Sequence, residues 1–300
     1  MKVTRRGFFK IAGATAGASL LTTEARAAEG HGVLDGPGVL VDTTLCVGCR
    51  GCEAACAEAN ELPPPAEGDA VFNEKRETAQ QTFTVVNRFE KEKGVDRYVK
   101  RQCMHCLAPA CASACPVQAM VKLPTGPVTY DASRCMGCRY CMIGCPFDIP
   151  KYEYESATPR VRKCTFCAKR QAEGKGPACA EVCPSGALTF GKRAELIEVA
   201  KQRIYTNPDR YVHHVYGEFE AGGTSWLYIS DVPFEQMPNF PTDVGTRAYP
   251  DIVSGALGAP PFVMTLWPPL LMGIYAMTHK KDEAAHDAGH GKSEKEDHHG

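Results

Sequence analysis

Cys135-Met136-Gly137-Cys138-Arg139-Tyr140-Cys141-Met142-Ile143-Gly144-Cys145-Pro146 sets four cysteines at intervals of two, two and three residues and closes on proline. Three thiols so spaced lie on one short loop and can hold three corners of a single iron–sulfur cube. The fourth, three residues on, points away towards a neighbouring cube. The proline stops the segment and presets the backbone for the next. Outward from this stretch the pattern returns three times. Cys46-x2-Cys49-x2-Cys52-x3-Cys56 lies upstream, as does Cys103-x2-Cys106-x4-Cys111-x3-Cys115-Pro116. Downstream is Cys164-x2-Cys167-x11-Cys179-x3-Cys183-Pro184, stretched in its middle. All 16 cysteines of the 300-residue chain fall in these four motifs. They match the needs of four 4Fe–4S cubanes at four thiolates each, and the chemistry such groups supply is single-electron transfer.

Two other uses of cysteine fit less well. A structural zinc site closes one tetrahedron from two C-x2-C pairs, so the third thiol of a C-x2-C-x2-C triplet is surplus. Disulfide frameworks belong to small exported scaffolds, and this chain is long enough to build a core. Pairing of the motifs is open at this level. The stretch between Cys145 and Cys164 is nearly as long as that between Cys115 and Cys135, so the third motif could exchange its fourth cysteine with either neighbour.

The N-terminus reads Thr4-Arg5-Arg6-Gly7-Phe8-Phe9-Lys10, followed by a weakly apolar run from Ile11 to Leu21 and then Ala25-Arg26-Ala27. This predicts a twin-arginine export signal over 1–27 with an A-x-A cleavage site. That route carries folded proteins, so thiols would meet their metal in a reducing compartment before export. Near the other end, Pro261 to Thr278 carries no charged side chain, with Trp267, Tyr275 and then Lys280-Lys281. The expectation is a single transmembrane anchor over 259–279, although Pro268-Pro269 argue against a straight helix. Together the two ends predict a location on the periplasmic face of the bacterial inner membrane. The tail 280–300 is polar and His-rich, and its histidines lack fixed spacing, which reads as a solvated segment.

A net charge of −1 gives no footing for nucleic-acid binding. No dinucleotide-binding glycine run, P-loop or nucleophile elbow occurs, so a substrate-converting site of familiar kind is absent and the chain is not expected to be an enzyme. The expected domains are a cluster-binding region over 28–204, interrupted by an insertion at 57–101, and an extension over 205–258. Strands are expected at 82–89, 128–130, 187–190 and 225–229, and an amphipathic helix from Ala194 to Ile204. Cations gather beside the motifs: Arg97, Lys100 and Arg101 before the second, and Arg160, Arg162, Lys163, Lys169, Arg170 and Lys175 around the fourth. Each taken alone reads as part of a solvated face; collectively they would raise cluster potentials and guide an acidic redox partner. His105, between Cys103 and Cys106, is expected to hydrogen-bond or face solvent, because four cysteines already complete a ligand set.

The chain resembles the four-cluster ferredoxin-type iron–sulfur subunits of membrane-bound redox complexes, and most closely those of hydrogenase-2-type nickel–iron hydrogenases. The likeness runs through Leu45-Cys46-Val47-Gly48-Cys49, Lys100-Arg101-Gln102-Cys103-Met104-His105-Cys106, Cys138-Arg139-Tyr140-Cys141-Met142, Val215-Tyr216-Gly217-Glu218, Gly222-Gly223-Thr224 and Asp231-Val232-Pro233-Phe234. It implies an α+β fold of two pseudo-symmetric ferredoxin-like halves binding four 4Fe–4S clusters, with the inserted segment and the C-terminal anchor. It also implies a nested pairing of motifs. Cys46, Cys49 and Cys52 would share a cluster with Cys183, and Cys56 would join Cys164, Cys167 and Cys179. Cys103, Cys106 and Cys111 would pair with Cys145, leaving Cys115 with Cys135, Cys138 and Cys141. One departure is Ala57, which stands where the other motifs have proline.

The function so implied is an electron-transfer subunit between a periplasmic nickel–iron hydrogenase catalytic dimer and a multi-spanning, quinone-reactive membrane partner. A molybdopterin enzyme, such as formate dehydrogenase or a sulfur-compound reductase, is the alternative source of electrons. A zinc-binding or structural membrane-anchored scaffold is the reading from a different class.

Overall fold

Strand β1, Pro37–Asp42, is almost wholly apolar because it is buried on both faces. It is the centre of a three-stranded sheet in the order β8-β1-β9. β8, Leu188–Lys192, runs antiparallel to it, and β9, Trp226–Ile229, runs parallel. The computed structural model describes residues 36–92, 94–238, 240–253, 260–261 and 263–275. It divides into one unit up to Pro250 and a second from Asp251.

Alternation along the strands sorts the sheet into two faces, because successive side chains of a strand point to opposite sides. Leu40, Leu227 and Ile229 point to one side, where helix Arg193–Thr206 packs Leu196, Ile197 and Ala200 at helical spacing against them. Val39, Val41, Trp226 and Tyr228 point to the other side, into a cluster that holds Cys56, Cys103, Cys164 and Cys179. One face of the sheet is therefore an ordinary hydrophobic interface, and the other is the wall of a cysteine-rich interior. The stretch 205–258 supplies β9, fully buried, to this sheet.

Three hairpins complete the first unit. β2, Val85–Glu92, pairs with β3, Val95–Arg101; β4, Met120–Lys122, with β5, Val128–Tyr130; and β6, Lys151–Tyr152, with β7, Val161–Arg162. The strand expected from residue 82 starts at Val85, because Thr82 turns back to bridge Ala79. Strands at 128–130 and 188–192 and the helix after Lys192 lie where hydrophobic periodicity places them. The β4–β5 and β1–β8 pairs have the same logic. In each, the strand leading into one cysteine motif pairs with the strand leaving another: β1 and β8 bracket motifs one and four, β5 and β4 bracket motifs three and two.

The β2–β3 hairpin is tied to the segment after β9 by Asp231. Its Oδ2 accepts from Lys91 Nζ at 2.9 Å and from Arg97 Nη2 at 2.8 Å. Burial pushes the Asp231 carboxyl up, but the Arg97 and Lys91 side chains outweigh it and hold the pKa below the ordinary 3.8. A lowered carboxyl stabilises the fold above its unfolded pKa and loses that contribution as pH falls through the folded value. Asp231→Asn is expected to cost about 1 to 2 kcal/mol at neutral pH, between exposed and buried pairs, because Lys91 and Arg97 keep about a quarter of their side chains in water. Denaturant titrations of both proteins check this. The difference should narrow as pH falls through the lowered pKa, and a difference independent of pH would contradict the ion-pair account.

The anchor expected over 259–279 is corrected by the structure. Among the described residues no helix is long and apolar enough to cross a membrane. The helical run 263–275 is shorter than the roughly 20 residues a span requires. Pro268 and Pro269 also remove two N–H donors from its middle, leaving carbonyls one turn earlier without their helical partner. Residues 259, 262 and 276–279 of that expectation lie outside the described residues, as do the export signal 1–27 and the tail 280–300. The transmembrane assignment, the attachment to a membrane subunit through it and the anchored periplasmic location built on it are withdrawn.

Candidate electron-transfer centre

Each motif begins as a tight loop whose backbone is forced into the left-handed region. In motif one Gly48 has φ 72° and Arg50 φ 58°; in motif three Gly137 has φ 74° and Arg139 φ 63°. A tyrosine closes each loop. A Cβ on Gly48 would come within 2.6 Å of the Tyr98 ring, and one on Gly137 within 2.8 Å of Tyr152 Oη. Only glycine meets both the dihedral and the space. Motifs two and four form a second matching pair. His105 (φ 46°) and Phe166 (φ 54°) occupy equivalent positions, and their rings stack with centroids 4.8 Å apart. Pro109 and Pro177 each lead into a short helix, Ala110–Ser113 and Ala178–Glu181, that carries the third thiol.

Proline sets the length of the helix that bears the third thiol. The helices at Ala110–Ser113, Tyr140–Ile143 and Ala178–Glu181 are each four residues long and stop before a Cys-Pro pair. Motif one has Ala57 instead, and its helix Gly51–Ala59 runs on through Cys56 for nine residues. The departure in sequence thus has a local structural result, and Cys56 remains buried within it.

These loops bring thiols from distant motifs together. Cys46 is acted on by Cys183 and Cys49, and one cavity is lined by Cys46, Cys49, Cys52 and Cys183 with Lys100 beside them. A second cavity is lined by Cys115, Cys135, Cys138 and Cys141. Cys56 neighbours Cys179 and Cys167, and Cys164 neighbours Cys56. Cys106 neighbours Cys145, Cys103 and Cys111. Across these groups Cys52 neighbours Cys179, Cys164 neighbours Cys103, and Cys111 neighbours Cys141. Among the described residues no three His, Cys, Asp or Glu side chains converge as one metal ion requires; the thiols border cavities instead.

The surroundings fit an inorganic group with basic sulfur atoms. Backbone N–H groups of Ala119 and Phe166 point at Cys115 Sγ (3.2 Å) and Cys164 Sγ (3.4 Å), and Asn60 Nδ2 at Cys56 Sγ (3.7 Å). Such donors stabilise negative charge on sulfur. Trp226 Nε1 is buried with no protein acceptor. His105 is fully buried, and Val128 N–H donates to its Nδ1 at 3.0 Å, so the hydrogen sits on Nε2. Burial, then Lys163 and Lys122, hold its pKa well below the ordinary value, and the Cys164 carbonyl opposes them only in part. Nε2 has no formed hydrogen bond. Burial pushes the thiols of Cys56 and Cys111 up to about 12 and those of Cys141 and Cys145 to about 11. In this interior a thiolate needs nearby positive charge, which metal supplies with release of protons.

The cations named from sequence divide sharply. Arg97, Arg162, Arg170 and Lys175 form ion pairs with Asp231, Glu153, Glu181 and Glu173, and Arg101 donates to the Phe147 carbonyl. Lys100 and Lys163 are buried. Trp226, Gln102 and Phe166 escaped sequence reading as parts of this centre. A tryptophan in a short apolar strand carries no signal of what its ring covers.

A family model for 4Fe-4S dicluster domains matches residues 95–193, so such a domain is present in the chain. A Nitratidesulfovibrio vulgaris protein is 49% identical over 94% of this chain and 78% of its own length. The hydrogenase-2 operon protein HybA of Escherichia coli O157:H7 is 36% identical over 78% of this chain and 83% of its own length. The iron–sulfur subunit of the nitrate-inducible formate dehydrogenase of Escherichia coli K12 is 35% identical over 63% of this chain and 66% of its own length.

Proposed function

We propose a role from membership: the chain belongs to the 4Fe-4S dicluster-domain family of hydrogenase-2 HybA-like and formate-dehydrogenase-type iron–sulfur subunits, and acts within it as a wire of four clusters. It is an electron-transfer subunit and converts no substrate of its own. The ligand sets we assign are Cys46, Cys49, Cys52 and Cys183; Cys56, Cys164, Cys167 and Cys179; Cys103, Cys106, Cys111 and Cys145; and Cys115, Cys135, Cys138 and Cys141. The observation that carries the reading is a pair of cavities, each bordered by four cysteines from two motifs.

Bound cubanes supply reversible one-electron chemistry at thiolate-ligated iron. The protein holds the ligands on tight loops, buries Cys56, Cys103, Cys164 and Cys179 against the sheet, and aims N–H groups at sulfur. Two of the proposed sites reach the surface. Cys49 and Cys138 are exposed, the first beside exposed Val47 and the second beside exposed Met136, Tyr140 and Ile143. Apolar side chains at an exposed site suit docking of a redox partner.

We assign the electron source to a catalytic subunit of hydrogenase type. The match to HybA extends over more of this chain than the match to the formate dehydrogenase subunits, which supports that choice. The test is reduction of the loaded chain, followed by electron paramagnetic resonance. Nickel–iron catalytic subunits with dihydrogen should reduce it, and formate dehydrogenase catalytic subunits with formate should not. Reduction by formate alone would transfer the assignment to the molybdopterin class.

A further inference from the structure

Lys100 is 2% exposed, yet its Nζ has one hydrogen bond, to Gln102 Oε1 at 2.8 Å, and lies 4.5 Å from the centre of the Trp226 ring. Among the described residues neither Lys100 nor Lys163 forms an ion pair with a carboxylate. Glu53, the buried carboxylate near Cys52, is taken by Arg50 and Arg76. A buried ammonium without an anion is costly, so a counter-ion is expected beside it. The neighbour of Lys100 is sulfur. It borders the cavity of Cys46, Cys49, Cys52 and Cys183, and it also acts on Cys56 and Cys164. The groups that act on it are Cys179, Cys52, Tyr228 and Cys164.

Lys163 repeats the arrangement in the other half. It is 5% exposed, and its Nζ donates to the carbonyls of Val128 (2.5 Å) and Cys164 (3.0 Å). Its charge bears on Cys111 and Cys145. Each lysine sits on the chain that enters a motif of one half and acts on thiols of the other: Lys100 precedes motif two and faces motifs one and four, while Lys163 precedes motif four and faces motifs two and three. The groups bearing most on Cys141 after burial, by contrast, are the thiols Cys115, Cys135 and Cys138.

We infer that Lys100 is the buried counter-ion shared by the cluster sites of Cys46 and Cys56, that it sets their potentials, and that Lys163 does the same for the site of Cys103. This rests on the four-site reading above. A fixed positive charge favours the reduced, more negative form of a thiolate-ligated cluster, so its removal lowers the potential.

The experiment is a redox titration followed by electron paramagnetic resonance on the full, anaerobically loaded chain. Each signal is assigned to its site by a Cys→Ser variant. With Lys100→Met, the ratio of reduced to oxidised protein at the Cys46 and Cys56 sites, at fixed potential, should fall about tenfold, or about 59 mV for a one-electron couple. The Cys141 site should not move. Lys163→Met should shift the Cys103 site and leave the Cys46 site in place. Should Lys100→Met lose iron, Lys100→Arg must restore both iron and potentials. Unchanged potentials in fully loaded Lys100→Met, or iron loss in both variants, would overturn the inference. Loss of the four-site reading itself would show separately, as too little iron and sulfide in the unmodified chain.

Discussion

Cys141→Ser is expected to stop electron delivery through the chain while leaving a catalytic partner fully able to reduce an artificial dye. Cys141 is buried in the short helix Tyr140–Ile143, within the group that includes Cys115, Cys135 and Cys138. Serine keeps the helix and the volume but offers a harder, less acidic ligand, so one cluster is lost or converted. In the four-site wire proposed above, that site is one step of the path, so its loss interrupts transfer. The check has two arms: dye reduction by the catalytic subunits, unchanged, and reduction of the physiological acceptor, down to background. Full physiological transfer in a variant shown to lack that cluster would contradict an obligate wire.

Gly217→Ala is expected to destabilise the first unit by about 3 to 5 kcal/mol, read as a lower denaturant midpoint by circular dichroism. Gly217 has φ 95°, and a Cβ there would lie 2.2 Å from the carbonyl oxygen of Trp226 and 2.6 Å from Thr224 Oγ1. The obstacle is the backbone of β9, the strand that separates the hydrophobic interface from the cysteine-rich interior. Relief by movement is blocked from behind. The buried guanidinium of Arg193 donates to the carbonyls of Thr224 (2.7 Å), Glu218 (2.8 Å) and Gly217 (3.2 Å), holding the whole loop against the sheet. An unchanged midpoint would mean that this loop is free to lift off β9.

Sequence carried the cysteine loops well, because a C-x2-C-x2-C spacing is a local fact about how far a short backbone reaches. It carried strand Val128–Tyr130 and helix Arg193–Thr206 for the same reason: their periodicity lies within a few residues. It could not choose which motifs share thiols. That depends on β1 pairing with β8 and β5 with β4, contacts made across the chain. The parallel pairing of β9 with β1 is equally remote from any local pattern. Lys100 and Lys163 look like any other cations of a basic stretch. Their burial follows from thiol groups delivered by other motifs, which no window around either lysine contains. The apolar run near residue 270 misled in the opposite direction. It carries no charge, but the helix it forms over 263–275 is too short to cross a membrane, and a length of that kind is set by where the helix stops.

Quantitative iron, inorganic sulfide and zinc analysis of the full chain, purified without oxygen, tests the central claim most directly. Four cubane sites predict about sixteen iron and sixteen sulfide per chain, with zinc absent. Zinc in the place of iron, with no sulfide released by acid, would contradict it.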